Sequence, residues 1–88
     1  MLADFLRPLF WDVNAETFDP FRHPEYTIGR ILELGDEKAV AWLRQTFPAE
    51  QIAGVVRGEG RLSRRSANFW ALVYGIPPEE VAALRAGG

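Results

Sequence analysis

Apolar residues recur at helical spacing in successive segments of this chain, and glycine or proline separates each segment from the next. The clearest segment begins at Pro24 and ends before Gly35, with Ile28, Ile31 and Leu32 on one face. Proline suits the first position of a helix, glycine suits the position after its last turn, and the spacing between them is that of an amphipathic helix. Because no stretch alternates polar and apolar residues at the period of a strand, the sequence predicts an all-α protein.

The same pattern along the rest of the chain predicts about five short helices joined by short connections. They span residues 24–34, 36–47, 48–57 and 63–74, and a last helix starts at Pro77. Asp36 and Ser63 stand where N-cap residues are preferred, and Gly75 stands where a helix ends. The chain has 88 residues and is 48% hydrophobic, which is enough for one core. We therefore expect a single compact domain over residues 1–88, with a helical core at 24–86.

The first 23 residues carry many aromatic side chains without a clear period. Turn-forming residues interrupt them at Asp12, Asn14, Asp19 and Pro20. We expect a short helical start followed by an irregular N-terminal arm that packs on the core through its rings. Four of these rings are candidates for an exposed interface with a partner, namely Phe10, Trp11, Phe18 and Phe21.

Several function classes find no support in the sequence. The chain has no cysteine and a single histidine, His23, and a lone histidine does not make a zinc site. No phosphate-binding loop, dinucleotide fingerprint or set of catalytic side chains occurs, so we expect no cofactor, no metal and no enzymatic activity. The apolar start is too short to span a bilayer and lacks the features of a signal peptide. We therefore expect a cytoplasmic protein that does not contact a membrane.

The stretch GRLSRRSANFWALVYG, residues 60–75, places positive charge at the start of a helix. Arg61 precedes the helix, and Arg64 and Arg65 fall in its first turn, where each exposed cation opposes the helix dipole by about 0.3–1 kcal/mol. First-turn N–H groups bind anions, and guanidinium groups strengthen that binding. The arginines therefore indicate a surface for carboxylates or phosphates, which Asn68 extends by one turn.

Beyond Asn68 this helix is apolar on nearly every side. Residues 69–74 read FWALVY, and none of them is charged. A helix without a polar side is normally buried. We therefore expect helix 63–74 to be the central helix of the core.

Three interpretations of the arginines stay open. The first is pairing inside the fold with acidic residues, in exposed ion pairs that stabilise little. The candidates are Glu33, Asp36, Glu37, Glu50 and Glu59. The second is binding to the acidic groups of a partner protein, for which a second copy of the chain, as a homodimer, is an alternative.

The third interpretation is DNA binding by Arg64, Arg65 and Asn68, because helices 48–57 and 63–74 have roughly the layout of a helix-turn-helix. Three features argue against it. The connection between the helices is longer than the usual turn, and the second helix is too apolar to lie in a groove. The net charge of the chain is also −2.

Several motifs of the chain resemble those of a family of small prokaryotic proteins without an established activity. They are FWDV at 10–13, His23 with Tyr26, IGRILELGDEKAVAWLRQTF at 28–47 and RLSRRSANFWALVYGI at 61–76. Members look like FWD, then His, Tyr and R-V-L-E-Y-G-D, then R-x-L-S-x-x-T-A-N-F-W-A, and here Ser66 stands where threonine is usual. The resemblance covers about residues 10–76 and transfers no catalytic residue. Since such proteins are often encoded beside nucleotidyltransferase-like toxins, it implies an accessory or antitoxin-like role.

Residues and resemblance together predict a non-catalytic protein-interaction module with an antitoxin-like role. The expected partner is a protein, and the resemblance indicates a nucleotidyltransferase-like toxin. The residues of this chain that are predicted to contact the partner are Arg61, Arg64, Arg65 and Asn68, together with the aromatic arm. The alternative function is that of a small helix-turn-helix DNA-binding protein.

Overall fold

The computed structural model describes residues 2–85, and five α-helices lie in that span. They are α1 (Pro24–Leu34), α2 (Glu37–Thr46), α3 (Ala49–Gly58), α4 (Arg64–Tyr74) and α5 (Ala82–Arg85). Two 3₁₀ helices, Asp4–Leu9 and Pro78–Glu80, complete the regular structure, and none of the described residues lies in a strand. The all-α fold class is confirmed, and α1 to α4 match their predicted bounds to within one residue.

Contacts within the chain cluster into two compact units. The N-terminal unit extends to Thr46 and holds the first 3₁₀ helix, α1 and α2. The C-terminal unit begins at Phe47 and holds the remaining helices. The organisation as a single domain, with an arm at 1–23 and a core at 24–86, stays a prediction.

In the N-terminal unit the 3₁₀ helix packs against both α1 and α2, and these two helices pack on each other. The apolar side chains that are nearly or completely buried are Leu2, Leu6, Phe10, Ile28, Ile31, Leu32, Ala39 and Leu43. The backbone N–H of Leu2 donates to the carbonyl of Ala15 at 3.1 Å, which ties the start of the chain to the loop that follows. The N-terminal segment is therefore part of a core, although its path from residue 10 to residue 23 is irregular, as expected.

Helix α1 is joined to the loop before it by a buried hydroxyl and is ended by a glycine. The hydroxyl of Thr27, which has no exposed surface, lies 2.8 Å from the carbonyl oxygen of His23 and 3.3 Å from that of Pro20. A buried hydroxyl needs such acceptors. Gly35 ends the helix in an extended conformation, and a Cβ atom there would lie only 2.6 Å from the carbonyl oxygen of Ile31. The close approach of the backbone therefore requires glycine.

In the C-terminal unit α3, α4 and α5 pack against one another. The Ser63 hydroxyl accepts the backbone N–H of Ser66 at 3.1 Å, so the predicted N-cap of α4 is confirmed. Gly75 ends α4 with φ of 65° in the left-handed region. The N–H of Ile76 then donates to the carbonyl of Ala71 at 2.8 Å, which is the arrangement that a C-terminal glycine favours.

Two expectations about the C-terminal unit need correction. The last helix does not run on from Pro77, because a 3₁₀ turn and an extended Val81 precede the four-residue α5. Helix α4 is also not a central helix, since Leu72 on its apolar surface is 75% exposed. Its neighbours in the unit, α3 and α5, leave that side open to solvent.

Candidate interaction surface

One side of α4 faces solvent and carries large apolar side chains at helical spacing. Arg65, Phe69 and Leu72 follow one another at intervals of four and three residues, and Asn68 and Val73 flank them on the same face. Phe69, Leu72 and Val73 are 56%, 75% and 42% exposed. We call these five residues the α4 outer face.

The opposite side of α4 explains why this face points outward. Ala67, Trp70 and Ala71 are nearly fully buried, and α3 and α5 pack on the helix. The Phe69 ring meets the Trp70 ring edge-on, with centroids 5.0 Å apart, so the exposed ring rests on a buried one. The solvent-facing side of a helix is normally polar. Three large apolar side chains on that side therefore make it a candidate interaction surface.

Arg61 precedes α4 and pairs with Glu59, while its side chain stays 85% exposed, so its role in partner binding stays a prediction. Its Nε lies 3.0 Å from Oε1 of Glu59, its Nη2 lies 3.1 Å from Oε2, and its backbone N–H donates to the same carboxylate at 3.0 Å. These bonds hold the pKa of Glu59 below its usual value. Of the internal pairs considered from the sequence, this one is present.

Arg64 and Arg65 keep their charge at the surface of the protein. Arg64 makes one long contact, with 3.4 Å between its Nη1 and the carbonyl oxygen of Leu84. Among residues 2–85, no carboxylate lies within ion-pair distance of either guanidinium. Arg65 and Asn68 are exposed, and α4 contains no acidic residue. The start of the α4 outer face is therefore positive, and the helix dipole adds to that charge.

A second assembly, in the N-terminal unit, was missed by the sequence reasoning. The guanidinium of Arg30 donates to both carboxylate oxygens of Asp12 and to the carbonyl of Leu9, each at 2.8 Å. The Tyr26 hydroxyl accepts from Arg30 and donates to Asp12 at 2.7 Å. The guanidinium also lies over the indole of Trp11, 4.7 Å from the ring centroid. We call Trp11, Asp12, Tyr26 and Arg30 the Arg30 cluster.

The Arg30 cluster anchors the N-terminal segment to α1. Hydrogen bonds from Arg30 and Tyr26 hold the pKa of Asp12 far below its usual value, and the bond with Asp12 raises the pKa of Arg30. A bidentate arginine–carboxylate pair is among the stronger polar contacts in proteins. Because its two charges are matched within the cluster, we assign the cluster a structural role.

The four aromatic side chains considered for an interface differ in their surroundings. Phe10 is 1% exposed and lies 5.5 Å from the Phe18 ring and 6.1 Å from the Tyr26 ring, measured between centroids. Its assignment to an exposed interface is therefore corrected, since it packs in the core, and Phe18 is half-buried beside it. Trp11 and Phe21 are 69% and 65% exposed, so their place in an interface stays a prediction.

An open groove of about 590 Å³ lies along the loop between residues 13 and 23. Asn14 and Asp19, which line it, each accept the backbone N–H two residues further on and so shape its turns. In the described part of the chain, no three His, Cys, Asp or Glu side chains lie close enough to hold a metal ion. No helix in residues 2–85 is long and apolar enough to cross a membrane.

These features define a small all-α protein whose N-terminal unit is held by the Arg30 cluster. A model of a family of unknown function, DUF6922, matches residues 5–56. Since that span is more than half of the chain, the protein belongs to this family. The matched span contains the whole Arg30 cluster and ends before α4. No curated protein and no solved structure matches significantly.

Proposed function

We propose that this protein is a non-catalytic interaction module that binds a partner protein through the α4 outer face. The observation that supports this most directly is the exposure of Phe69, Leu72 and Val73 on a helix whose other side is buried. Side chains of this size are left in water at a cost of roughly 25 cal/mol for each Å² of apolar surface. A partner that covers them recovers that free energy.

The partner's chemistry follows from the charge at the start of the face. Arg65 lies on the face and Arg64 precedes it in the first turn of α4, and neither has a carboxylate partner among residues 2–85. A partner segment that carries apolar side chains with one or two carboxylates beside them therefore fits the face. The apolar contact supplies most of the affinity, and the carboxylates set the register.

The partner that the motif resemblance implies is a nucleotidyltransferase-like toxin encoded beside the protein. In this proposal the protein is the antitoxin-like member of the pair, in a prokaryotic cytoplasm. The stretch RLSRRSANFWALVYGI that carries part of the resemblance contains the entire α4 outer face. The proposed contact surface thus coincides with a motif on which the resemblance rests.

DNA binding is the second candidate, and one observation favours it. Helices α3 and α4 pack on each other, and Arg64, Arg65 and Asn68 are exposed at the start of the second helix. However, Phe69 and Leu72 continue the same face, and a helix that lies in a DNA groove presents polar side chains over its contacting turns. The α4 outer face therefore fits a protein better than it fits DNA.

The test is binding of the tagged full chain to the purified product of the adjacent gene, measured at low and at high salt. Leu72→Asp should weaken binding at least 10-fold, because it places a charge in the centre of the apolar contact. Leu34→Asp is the matched control. Leu34 is also an exposed leucine, at 45%, but lies at the end of α1 and should leave the affinity unchanged.

Salt separates the two candidate functions. Affinity for a mostly apolar protein interface changes little with salt, whereas a DNA complex held by several phosphate contacts weakens steeply. Arg65→Glu should reduce binding in both cases, so it serves as a check on the face rather than on the partner class. If Leu72→Asp and Leu34→Asp bind equally well, the α4 outer face is not the contact surface and the proposal fails.

A further inference from the structure

We propose that the α4 outer face also pairs with the same face of a second copy of this chain, with the two α4 helices antiparallel about a two-fold axis. This inference concerns the face on which the proposed function rests and adds how that face is regulated. Self-pairing covers the apolar side chains while no partner is bound, and a partner must displace the second copy. Binding of the partner and self-association then exclude each other.

The order of side chains along α4 supports an antiparallel pair. Phe69 and Leu72 stand at equal distances on either side of a point between residues 70 and 71, and so do Asn68 and Val73. When two such helices pack antiparallel with these points together, Phe69 of one copy meets Leu72 of the other, and the converse contact forms as well. A two-fold interface requires this kind of self-complementarity.

Charge supports the same direction. In the antiparallel pair Arg65 lies beside the C-terminal end of the second copy's α4, where the helix dipole is negative. The two Arg65 residues are then about 16 Å apart along the helix axis, from eleven steps of 1.5 Å. In a parallel pair they would lie side by side across an interaxial distance of about 8–10 Å, and α4 has no acidic residue to compensate them. The antiparallel arrangement therefore avoids a repulsion that the parallel one contains.

The small size of the face makes the pair weak, which is what displacement by a partner requires. Stable interfaces bury about 1,200–2,000 Å² in total, and an eleven-residue helix that offers three apolar side chains lies at or below the low end of that range. Interfaces of standard size have micromolar to picomolar affinity, so we expect this smaller one to have a dissociation constant above about 1 µM. The protein is then a mixture of monomer and dimer at moderate concentration.

Sedimentation velocity on the full chain, from about 1 µM to about 1 mM, measures the equilibrium directly. The mean mass should rise towards twice 9.9 kDa across this range. Leu72→Asp should weaken the pair at least 10-fold, and Leu34→Asp should change it less than twofold. A thermal unfolding curve for Leu72→Asp that matches the unchanged chain shows that the effect is not loss of the fold, since Leu72 is largely exposed. A chain that stays monomeric at the highest concentration overturns the inference.

Disulfide trapping tests the direction of the pair, and the chain has no cysteine of its own to interfere. Mixing Phe69→Cys with Leu72→Cys should give a cross-linked pair, because one of the two contacts becomes the disulfide while the other keeps its native Phe69 and Leu72. Arg65→Cys alone should give none, because a disulfide needs Cα atoms about 4.4–6.8 Å apart. Trapping through Arg65→Cys would show that the two Arg65 positions meet, which would refute the arrangement.

The outcomes distinguish this inference from the proposed function. If the chain binds the adjacent gene product through Leu72 but never self-associates, the self-pairing is wrong and the proposed function stands. If it self-associates through Leu72 but does not bind that product, the self-pairing stands and the proposed partner is wrong. If both occur, adding the gene product should shift the dimer to a complex that contains one copy of the chain.

Discussion

Replacing Phe10 by alanine should destabilise the N-terminal unit strongly, although the sequence alone made this ring a candidate for an exposed interface. The side chain is 1% exposed, and its ring lies against those of Phe18 and Tyr26. The guanidinium of Arg30 lies 5.6 Å from its centroid. Phe10 therefore supports the Arg30 cluster from the apolar side, and its loss removes core packing and cluster support together.

The expected size of the effect follows from that burial. A buried phenylalanine removes roughly 150–250 Å² of surface from water, which at about 25 cal/mol per Å² is about 4–6 kcal/mol. Alanine retains a small part of that, so a loss of about 3–5 kcal/mol in the free energy of unfolding is expected. The total stability of a chain of this length is about 4–13 kcal/mol, from the usual value per residue. The variant should therefore be partly unfolded or close to it.

Urea titration followed by far-UV circular dichroism measures the change, and Trp11→Ala is the matched control. Trp11 is the next residue along the chain and is 69% exposed, so its replacement should cost mainly its cation–π contact with Arg30, about 0.5–1 kcal/mol. A loss below about 1 kcal/mol for Phe10→Ala, or a larger loss for the Trp11 variant, would refute the placement of Phe10 in the core.

Three further substitutions have effects whose signs follow from the structure. The pKa of Asp12 is lowered in the folded state, so its contribution to stability is present above the unfolded pKa of about 3.9 and is lost as pH falls below it. Equilibrium unfolding between neutral pH and pH 2 should therefore show a smaller acid-induced loss for Asp12→Asn. Gly75→Ala should lower the free energy of unfolding by about 1 kcal/mol, because φ at Gly75 is 65°. Gly54→Ala inside α3, where an added Cβ meets nothing within 4 Å, should raise it by about 1 kcal/mol, and thermal unfolding measures both variants.

The bounds of α1 to α4 could be predicted from the sequence because local chemistry sets them. Ser63 caps α4 through its own hydroxyl, and Gly75 ends it through its own backbone freedom. Asp36 accepts the N–H of Ala39 at 2.9 Å and caps α2 in the same way. Each signal acts within a few residues, so it is visible without knowledge of the tertiary fold.

The Arg30 cluster could not be predicted, although every member is in a motif noted from the sequence. Tyr26 and Arg30 are four residues apart in α1 and so share a face. Asp12 is 18 residues before Arg30, and the loop between them has no periodic pattern of apolar residues from which its path could be predicted. Only tertiary structure brings that carboxylate to the guanidinium, and the same limit concealed the burial of Phe10.

The orientation of α4 shows what an apolar helix means in a chain this short. The sequence FWALVY offers apolar side chains on every side, and in a large domain such a helix is covered by neighbours all round. A small chain has few elements with which to cover it, because the buried fraction of the surface falls with size. Here α3 and α5 bury the side with Trp70 and leave the side with Leu72 in water. The apolar side chains that α4 leaves exposed are the ones on which the proposed interaction rests.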